Sequence, residues 1–430
     1  MKLAIFTDAT PPQLNGVVVY LKDLISLLSK KGCDVTIVRP EYEDDENHGF
    51  RIPDVEEISI PSISLPLYPD LRFSLPITSK SFNRNFSIFS SDNIPHIVHA
   101  HTPGSIGLMG VWTAKRYHIP LVQTFHTYFT EPEYLKIIGL DKIGLHDNAT
   151  LQQMLWGITS KFYNQSYLVL SGTKMLKNDL LSHGVNVPIK ALPWSASKLD
   201  TIKSAKLPFL LPEKYLLYTG RISKEKNLTT LISAFSLVVK KLPLLHLVIV
   251  GTGPQKTELE KMTRELSIEK NVIFTGFVEN ELLRKSSIIK DALLYVSAST
   301  SEMRPISVLE AMEAKVAVVG AKMRGVEELL EKRRGFLAFP DDEVDFAKKI
   351  TLALTDNNLR EEMIKNAYRY SEKNSLVHHT DSLLAEYEKL IKSNKLKNKN
   401  KPTTLSNLTK PALHMAKRIT RKVKSDLLGD

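Results

Sequence analysis

The stretch Ser297–Leu330, SASTSEMRPISVLEAMEAKVAVVGAKMRGVEELL, sets the reading of the whole chain. It follows an apolar run, Ala292-Leu293-Leu294-Tyr295-Val296, whose length and β-branched or aromatic content predict a buried parallel strand. After a polar elbow, Pro305, Ile306, Leu309, Met312 and Val316 recur at the three-to-four spacing of a helix with one buried face, with the proline in its first turn. Residues Val316 to Gly320 predict a second strand. Such a strand-helix-strand unit belongs to an open parallel sheet. There, ligands bind at the carboxyl ends of strands, and the free N–H groups and dipole of the next helix attract anions.

Two carboxylates, Glu302 and Glu310, stand at that junction. With Glu302 in the elbow and Glu310 inside the helix, both reach one ligand. Carboxylates accept hydrogen bonds and donate none, so the pair suits a hydroxyl-rich ligand, one acid for each sugar ring. On spacing alone, two glutamates of a surface helix are simply solvated. Glu302-x7-Glu310 followed by Ala311-Met312, however, resembles the EX7E signature of the retaining glycosyltransferases of family 4, and the resemblance runs from residue 1 to about residue 390. It implies an α/β protein of the GT-B fold, two Rossmann-like doubly wound domains facing a central cleft. It further implies that Glu302 contacts the donor sugar and Glu310 the nucleoside ribose, with Ile306 and Ser307 of the same helix in the donor site.

Length and composition frame this reading. At 430 residues the chain exceeds one comfortable core and predicts two domains, and 43% hydrophobic content is that of a globular protein. A single cysteine, Cys33, excludes an internal disulfide and fits a reducing compartment. No run approaches the roughly 20 apolar residues of a membrane span, and Met1–Phe6, cut short by Thr7-Asp8, reads as a first strand rather than a signal peptide. The net charge of +11 is concentrated at one end: residues 391–430 carry nine lysines and two arginines against Asp426 and Asp430, 11 − 2 = +9.

Along the chain, strand Lys2–Phe6 leads through Asn15-Gly16 into the helical pattern Val18, Leu21, Leu24, Ile25, Leu28. A glycine between strand and helix lets backbone approach a phosphate or merely makes a tight turn; the family carries a matching Asn-Gly whose glycine lies against the donor diphosphate, which singles out Gly16. Residues 57–80 read as a proline-punctuated apolar loop with Leu65, Leu67, Tyr68, Leu71 and Phe73. Its Pro66–Arg72 text is similar to a segment in the branch of the family that glycosylates diacylglycerol. Strands ending at Ala100 and Phe125 are followed by His101 and His126. His99, His101 and His118 read as structural, whereas His126 matches a family histidine that faces the donor sugar.

A linker, Pro193–Pro212, precedes a new sheet beginning at Lys214–Thr219 and the text Gly220-Arg221-Ile222-Ser223-Lys224-Glu225-Lys226. Here the family carries Gly-Arg and then a Glu-Lys pair, so the resemblance assigns Arg221 and Lys226 to the two phosphates, where a fork and a point charge stabilise a leaving diphosphate. Gly251-Thr252-Gly253 is a weak glycine pair, and the backbone of Gly276-Phe277-Val278 faces the base in the family, which places Val278 in the donor site. The domains expected are 1–197, with a crossover helix about 375–392 returning to it, and 198–374; residues 393–430 form a tail. From Lys410 the tail keeps helical apolar spacing among Lys417, Arg418, Arg421, Lys422 and Lys424. Such a stretch is a membrane-surface helix or a nucleic-acid arm, and the absence of aromatics after Tyr387 disfavours nucleic acid.

The sequence thus predicts a cytoplasmic enzyme held peripherally at the anionic inner face of the cell membrane. It moves a hexose, glucose by preference, from a UDP-sugar to a lipid such as diacylglycerol, and the family mechanism needs no metal or other cofactor. A phosphatidylinositol-type or other glycan acceptor, and a non-catalytic membrane-bound GT-B protein, are the alternatives. Two departures from the family pattern stand out: Pro305 where relatives carry glycine, and Ala314-Lys315-Val316-Ala317 where they carry Gly-x-Pro.

Overall fold

In the computed structural model, residues 1–65 (except 14, 44, 46 and 47), 68–74, 89, 93–126, 128, 147–196 and 205–397 are described. The basic positions 417, 418, 421, 422 and 424, Leu67 and residues 197–204 of the linker lie outside that set.

The strands are β1 (Lys2–Phe6), β2 (Asp34–Pro40), β3 (Glu56–Ile60), β4 (Ser62–Leu65), β5 (Tyr68–Ser74), β6 (Ile97–Ala100), β7 (Leu121–Phe125), β8 (Leu168–Ser171), β9 (Ile189–Ala191), β10 (Tyr215–Thr219), β11 (His246–Val250), β12 (Val272–Gly276), β13 (Leu294–Ser297), β14 (Val318–Ala321) and β15 (Phe336–Ala338). The helices are α1 (Gly16–Lys30), α2 (Ser105–Arg116), α3 (Ala149–Tyr163), α4 (Lys174–Ser182), α5 (Leu228–Val239), α6 (Lys256–Glu265), α7 (Asn280–Lys285), α8 (Ile306–Glu313), α9 (Arg324–Leu330), α10 (Glu343–Thr355), α11 (Asn357–Lys373) and α12 (Leu376–Lys397).

The apolar runs become two parallel sheets, one of seven strands in the order β3-β2-β1-β6-β7-β8-β9 and one of six in the order β12-β11-β10-β13-β14-β15. Counted along the parallel strands of each domain, the orders are 3-2-1-4-5-6-7 and 3-2-1-4-5-6, the doubly wound pattern whose crevice lies between the first and fourth strands. Strand β10 shows how the sequence builds two cores: Leu216 and Tyr218 pack on one face, Tyr215 and Leu217 on the other. Along α12, Leu376, Leu383 and Tyr387 are buried in the core of the first sheet. Nearby, the N–H of Ser195 donates to the carbonyl of Asn374 at 2.7 Å, so the two connections between the sheets run side by side.

The structure corrects parts of the sequence reading. Of residues 57–80, read as a loop, those up to 74 belong to the edge strand β3 and then to an antiparallel hairpin of β4 and β5, while 66, 67 and 75–80 lie outside the described residues. Pro61 ends β3 where a missing donor is tolerated, at a sheet edge, and Ile63 pairs across the hairpin with Phe73, both exposed. Pro305 precedes α8 as its N-cap with ψ 114° instead of sitting in its first turn. Strand β14 begins at Val318 and not at Val316, because the turn Ala314-Lys315, with Lys315 at φ 60°, occupies the connection. The edge strand β15, three residues long, is too short to announce itself by pattern.

Two helical glycines separate packing from propensity. A Cβ on Gly107 would lie 1.7 Å from the carbonyl oxygen of Thr102, whereas one on Gly157 would meet nothing within 4 Å. Urea denaturation is therefore expected to show Gly157→Ala stabilised by about 0.5–1 kcal/mol and Gly107→Ala destabilised by about 2 kcal/mol or more.

Candidate active site

The connections leaving the crevice strands carry several candidate residues: Gly16 at the head of α1 after β1, Arg221 and Lys226 after β10, and Glu302 after β13, with His101, read as structural, after β6. In the second domain, two of these loops are tied together by backbone. The carbonyl of Glu225 accepts from Ser299 Oγ at 3.1 Å and from the N–H of Thr300 at 3.3 Å. The chain between them makes a single 3-10 turn, Lys224–Lys226, and enters α5 through Asn227 at φ 53°. That geometry delivers Lys226 Nζ to 2.5 Å from Glu302 Oε1. Burial works against the Lys226 ammonium, but Glu302 beside it prevails and holds its pKa above the ordinary lysine value. Arg221 is exposed one turn away. The Glu302 carbonyl is held from the other side by the N–H of Gly325 at 2.9 Å.

Glu310 lies deeper. Its side chain points into a cavity of about 10 Å³, room for one water at most, walled by Tyr20 and Asp23 of α1, Trp194 and Ile306. It is 3% exposed, with Asn280 Nδ2 at 3.2 Å. Burial pushes its carboxyl up to about 7, helped by the nearby Asp23 and resisted by Asn280 and Arg284. Gly16 faces the same helix across the cleft, since a Cβ there would sit 3.3 Å from Ile306 Cγ1. At the head of α8 the N–H groups of residues 306–308 have no carbonyl within the helix to pair with; Ser307 also hydrogen-bonds the Tyr295 hydroxyl.

From the first domain, His126 follows β7. Its Nε2 lies 3.0 Å from His101 Nδ1, and Tyr20 and Trp194 pack on its ring at centroid separations of 5.4 and 5.8 Å. Burial, with His379 nearby, pushes the His126 imidazole down to about 3, so it is neutral.

Local packing sets the surroundings of Val278, the glycine pair and Ser307. The Val278 side chain is buried in the second core while its neighbour Phe277 is 50% exposed, so the aromatic is the residue offering a face to solvent. The pair Gly251 and Gly253 serves backbone packing, because a Cβ at either would fall about 2 Å from the carbonyls of Gly220 or Ile222. Ser307 is joined to the β-sheet rather than left to a ligand alone.

Residues the sequence did not announce also shape the site. Buried Asp8, at the end of β1, accepts from Thr102 Oγ1 (2.6 Å), Ser105 Oγ (3.0 Å) and the N–H groups of Ile106 (3.0 Å) and Gly107 (3.3 Å), fixing the loop that bears His101. Arg304, next to the elbow, stacks on Trp194 and donates through Nε to the Trp194 carbonyl at 2.7 Å, while Met303 enters the core of the first domain. Further contacts across the cleft are Arg284 with Asp23 at 3.0 Å, and Glu328, whose carboxylate accepts from the first N–H groups of α4 at Lys174 and Met175. Such partners lie too far apart in sequence to carry a local signal; only a carboxylate just after a first strand hinted at Asp8.

Two doubly wound domains with facing loops of cations and carboxylates define a GT-B protein. Family models agree: the one described as Glycosyltransferase Family 4 matches residues 14–193, and the one described as Glycosyl transferases group 1 matches residues 200–370. The chain belongs to these glycosyltransferases. It is 26% identical over 386 residues to the alpha-monoglucosyldiacylglycerol synthase of Streptococcus pneumoniae, covering 87% of this chain and 83% of that one. It is 27% identical over 388 residues to a sulfoquinovosyl transferase of Arabidopsis thaliana, covering 86% and 70% respectively. Among solved structures it is similar to the Anabaena HepE protein crystallised with UDP, at TM-score 0.69 and 17% identity, covering 90% of this chain and 100% of that one.

The Glu310 carboxyl supplies a pH test. Its folded pKa of about 7 lies above the ordinary 4.5. The folded protein therefore keeps a proton that the unfolded chain releases, and stability falls as pH rises from 4.5 toward 7. Glu310→Gln cannot ionise, so its stability relative to wild type is expected to rise between about pH 5 and pH 8, by on the order of 3 kcal/mol at most, in urea melts at the two pH values.

Proposed function

We propose that this glycosyltransferase moves a hexose, glucose by preference, with retention, from a UDP-sugar to a membrane lipid acceptor such as diacylglycerol. The observation that carries the reading is the Lys226–Glu302 pair at 2.5 Å, a cation and a sugar-facing acceptor set side by side at the head of α8. Support for the lipid acceptor comes from relatives named as an alpha-monoglucosyldiacylglycerol synthase and a sulfoquinovosyl transferase. Arg221 and Lys226 stabilise the departing diphosphate, Glu302 orients the hexose, Glu310 accepts from the ribose, Gly16 and the first N–H groups of α8 approach the phosphates, and Phe277 with Val278 borders the base. His126 meets the hexose from the other domain. No resident metal is required, because the cationic side chains neutralise the leaving group. Glu310 is reached only when α1 and α8 move apart, so donor binding includes opening of the cleft.

No helix among the described residues is long and apolar enough to cross a membrane. The enzyme works at the inner face of the cell membrane, drawn there by the basic tail, whose Lys417, Arg418, Arg421, Lys422 and Lys424 each contribute about 1 kcal/mol near an anionic leaflet. Removal of residues 393–430 is expected to release the protein from anionic vesicles in sedimentation assays, and undiminished binding after truncation counts against the tail.

The functional test is nucleotide release from UDP-glucose, UDP-galactose and GDP-mannose, with and without diacylglycerol vesicles. Lipid-dependent release from UDP-glucose is expected, falling about 100-fold or more in kcat for Lys226→Ala and Glu302→Ala. A non-catalytic reading draws on one observation, Pro305 and its missing N–H beside the head of α8. Nucleotide binding without release from any donor establishes that second reading.

A further inference from the structure

His101 was expected to be structural, yet it touches His126, the histidine expected to face the donor sugar. Its ring is 1% exposed and stacks on His126 at 5.3 Å and 24°. A hydrogen bond of 3.0 Å joins its Nδ1 to His126 Nε2, and its own Nε2 has no hydrogen-bond partner among the described residues. Burial holds both imidazoles neutral, so one proton lies between them and two arrangements are open.

In one arrangement, His101 donates through Nδ1–H, its buried Nε2 is a bare nitrogen, and His126 carries its proton on Nδ1. In the other, His126 donates through Nε2–H, and His101 must bury an Nε2–H that finds no acceptor. Unsatisfied buried polar atoms are costly in either case, about 1–3 kcal/mol, but an orphaned N–H is the rarer defect. His126 is only partly buried, so an Nδ1–H on it is satisfied by water or a ligand, and the first arrangement leaves no donor stranded.

We infer that His101 is a positioning residue that holds His126 in the Nδ1–H tautomer, so that His126 presents a hydrogen-bond donor to the cleft and not a base. Its ligand is an acceptor oxygen, and on the proposed function that oxygen belongs to a hexose hydroxyl. The proton of the attacking acceptor then leaves by another route than His126. Asp8 contributes indirectly, since it fixes the Thr102–Gly107 segment that follows His101.

The test is the tautomer itself, read by long-range ¹⁵N–¹H NMR of ¹⁵N-histidine-labelled full-length protein, with the His126 signals identified by their loss in His126→Gln. The Nδ1–H pattern is expected for both His101 and His126. An Nε2–H pattern at His126 in the wild type overturns the inference, whatever the substrate proves to be. His101→Asn places an amide N–H where Nδ1 stood and is expected to keep the His126 pattern, whereas His101→Phe removes the donor and lets His126 drift to the Nε2–H form. If the transfer reaction is as proposed, kcat falls roughly tenfold or more in His101→Phe with KM little changed and is restored in His101→Asn. A tautomer unmoved in His101→Phe, with thermal melting confirming the fold, also overturns it.

Discussion

A parallel sheet wound in the order 3-2-1-4-5-6 sends the chains leaving its first and fourth strands to opposite faces, and between them no backbone fills the crevice. Both sheets here contain that order, the first with a seventh strand at its edge, and the constraint decides where chemistry is possible. The loops after β1 and β6 face those after β10 and β13, which is why groups separated by hundreds of residues converge. Topology alone sets only their neighbourhood. The working distances come from ties between loops: Glu225 carbonyl with Ser299 and Thr300, Gly325 with Glu302, and Asp8 with the head of α2.

The site divides its polar groups by solvent. Lys226 and Glu302 retain side-chain exposures of 18% and 27% and pair with each other within reach of solvent. Glu310 is sealed against the other domain and the histidines lie within the first, and burial favours their neutral forms. A charged rim over a neutral floor suits a ligand that is anionic at one end and hydroxylated at the other.

Much of this was legible in the sequence because the signals are local. Apolar runs such as Ala292–Val296 and the spacing of Ile306, Leu309 and Met312 mark the strand and helix around Glu302 and Glu310 without reference to the rest of the chain. The resemblance to family 4 supplied what spacing leaves open, the choice of Arg221, Lys226 and His126 among many similar residues. What stayed hidden depends on distant partners. Asp8 finds its partners only in α2, nearly a hundred positions on, which offers it N–H groups, and Arg304 only in Trp194, which provides a carbonyl and a ring. The strand β3 was lost among prolines because an edge strand needs neither continuous apolarity nor every donor.

The two connections between the domains meet where Ser195 N–H donates to Asn374 and Ser195 Oγ lies 2.7 Å from Ser371 Oγ. Contacts on either side of that seam differ in kind. Beside it, Met303, Arg304 and Trp194 interlock through packing, which parting would expose; farther out, Asp23 with Arg284 and Glu328 with the head of α4 are polar contacts that water can replace. The seam at Ser195 and Asn374 is thus flanked by packing that water cannot replace and by polar contacts that it can.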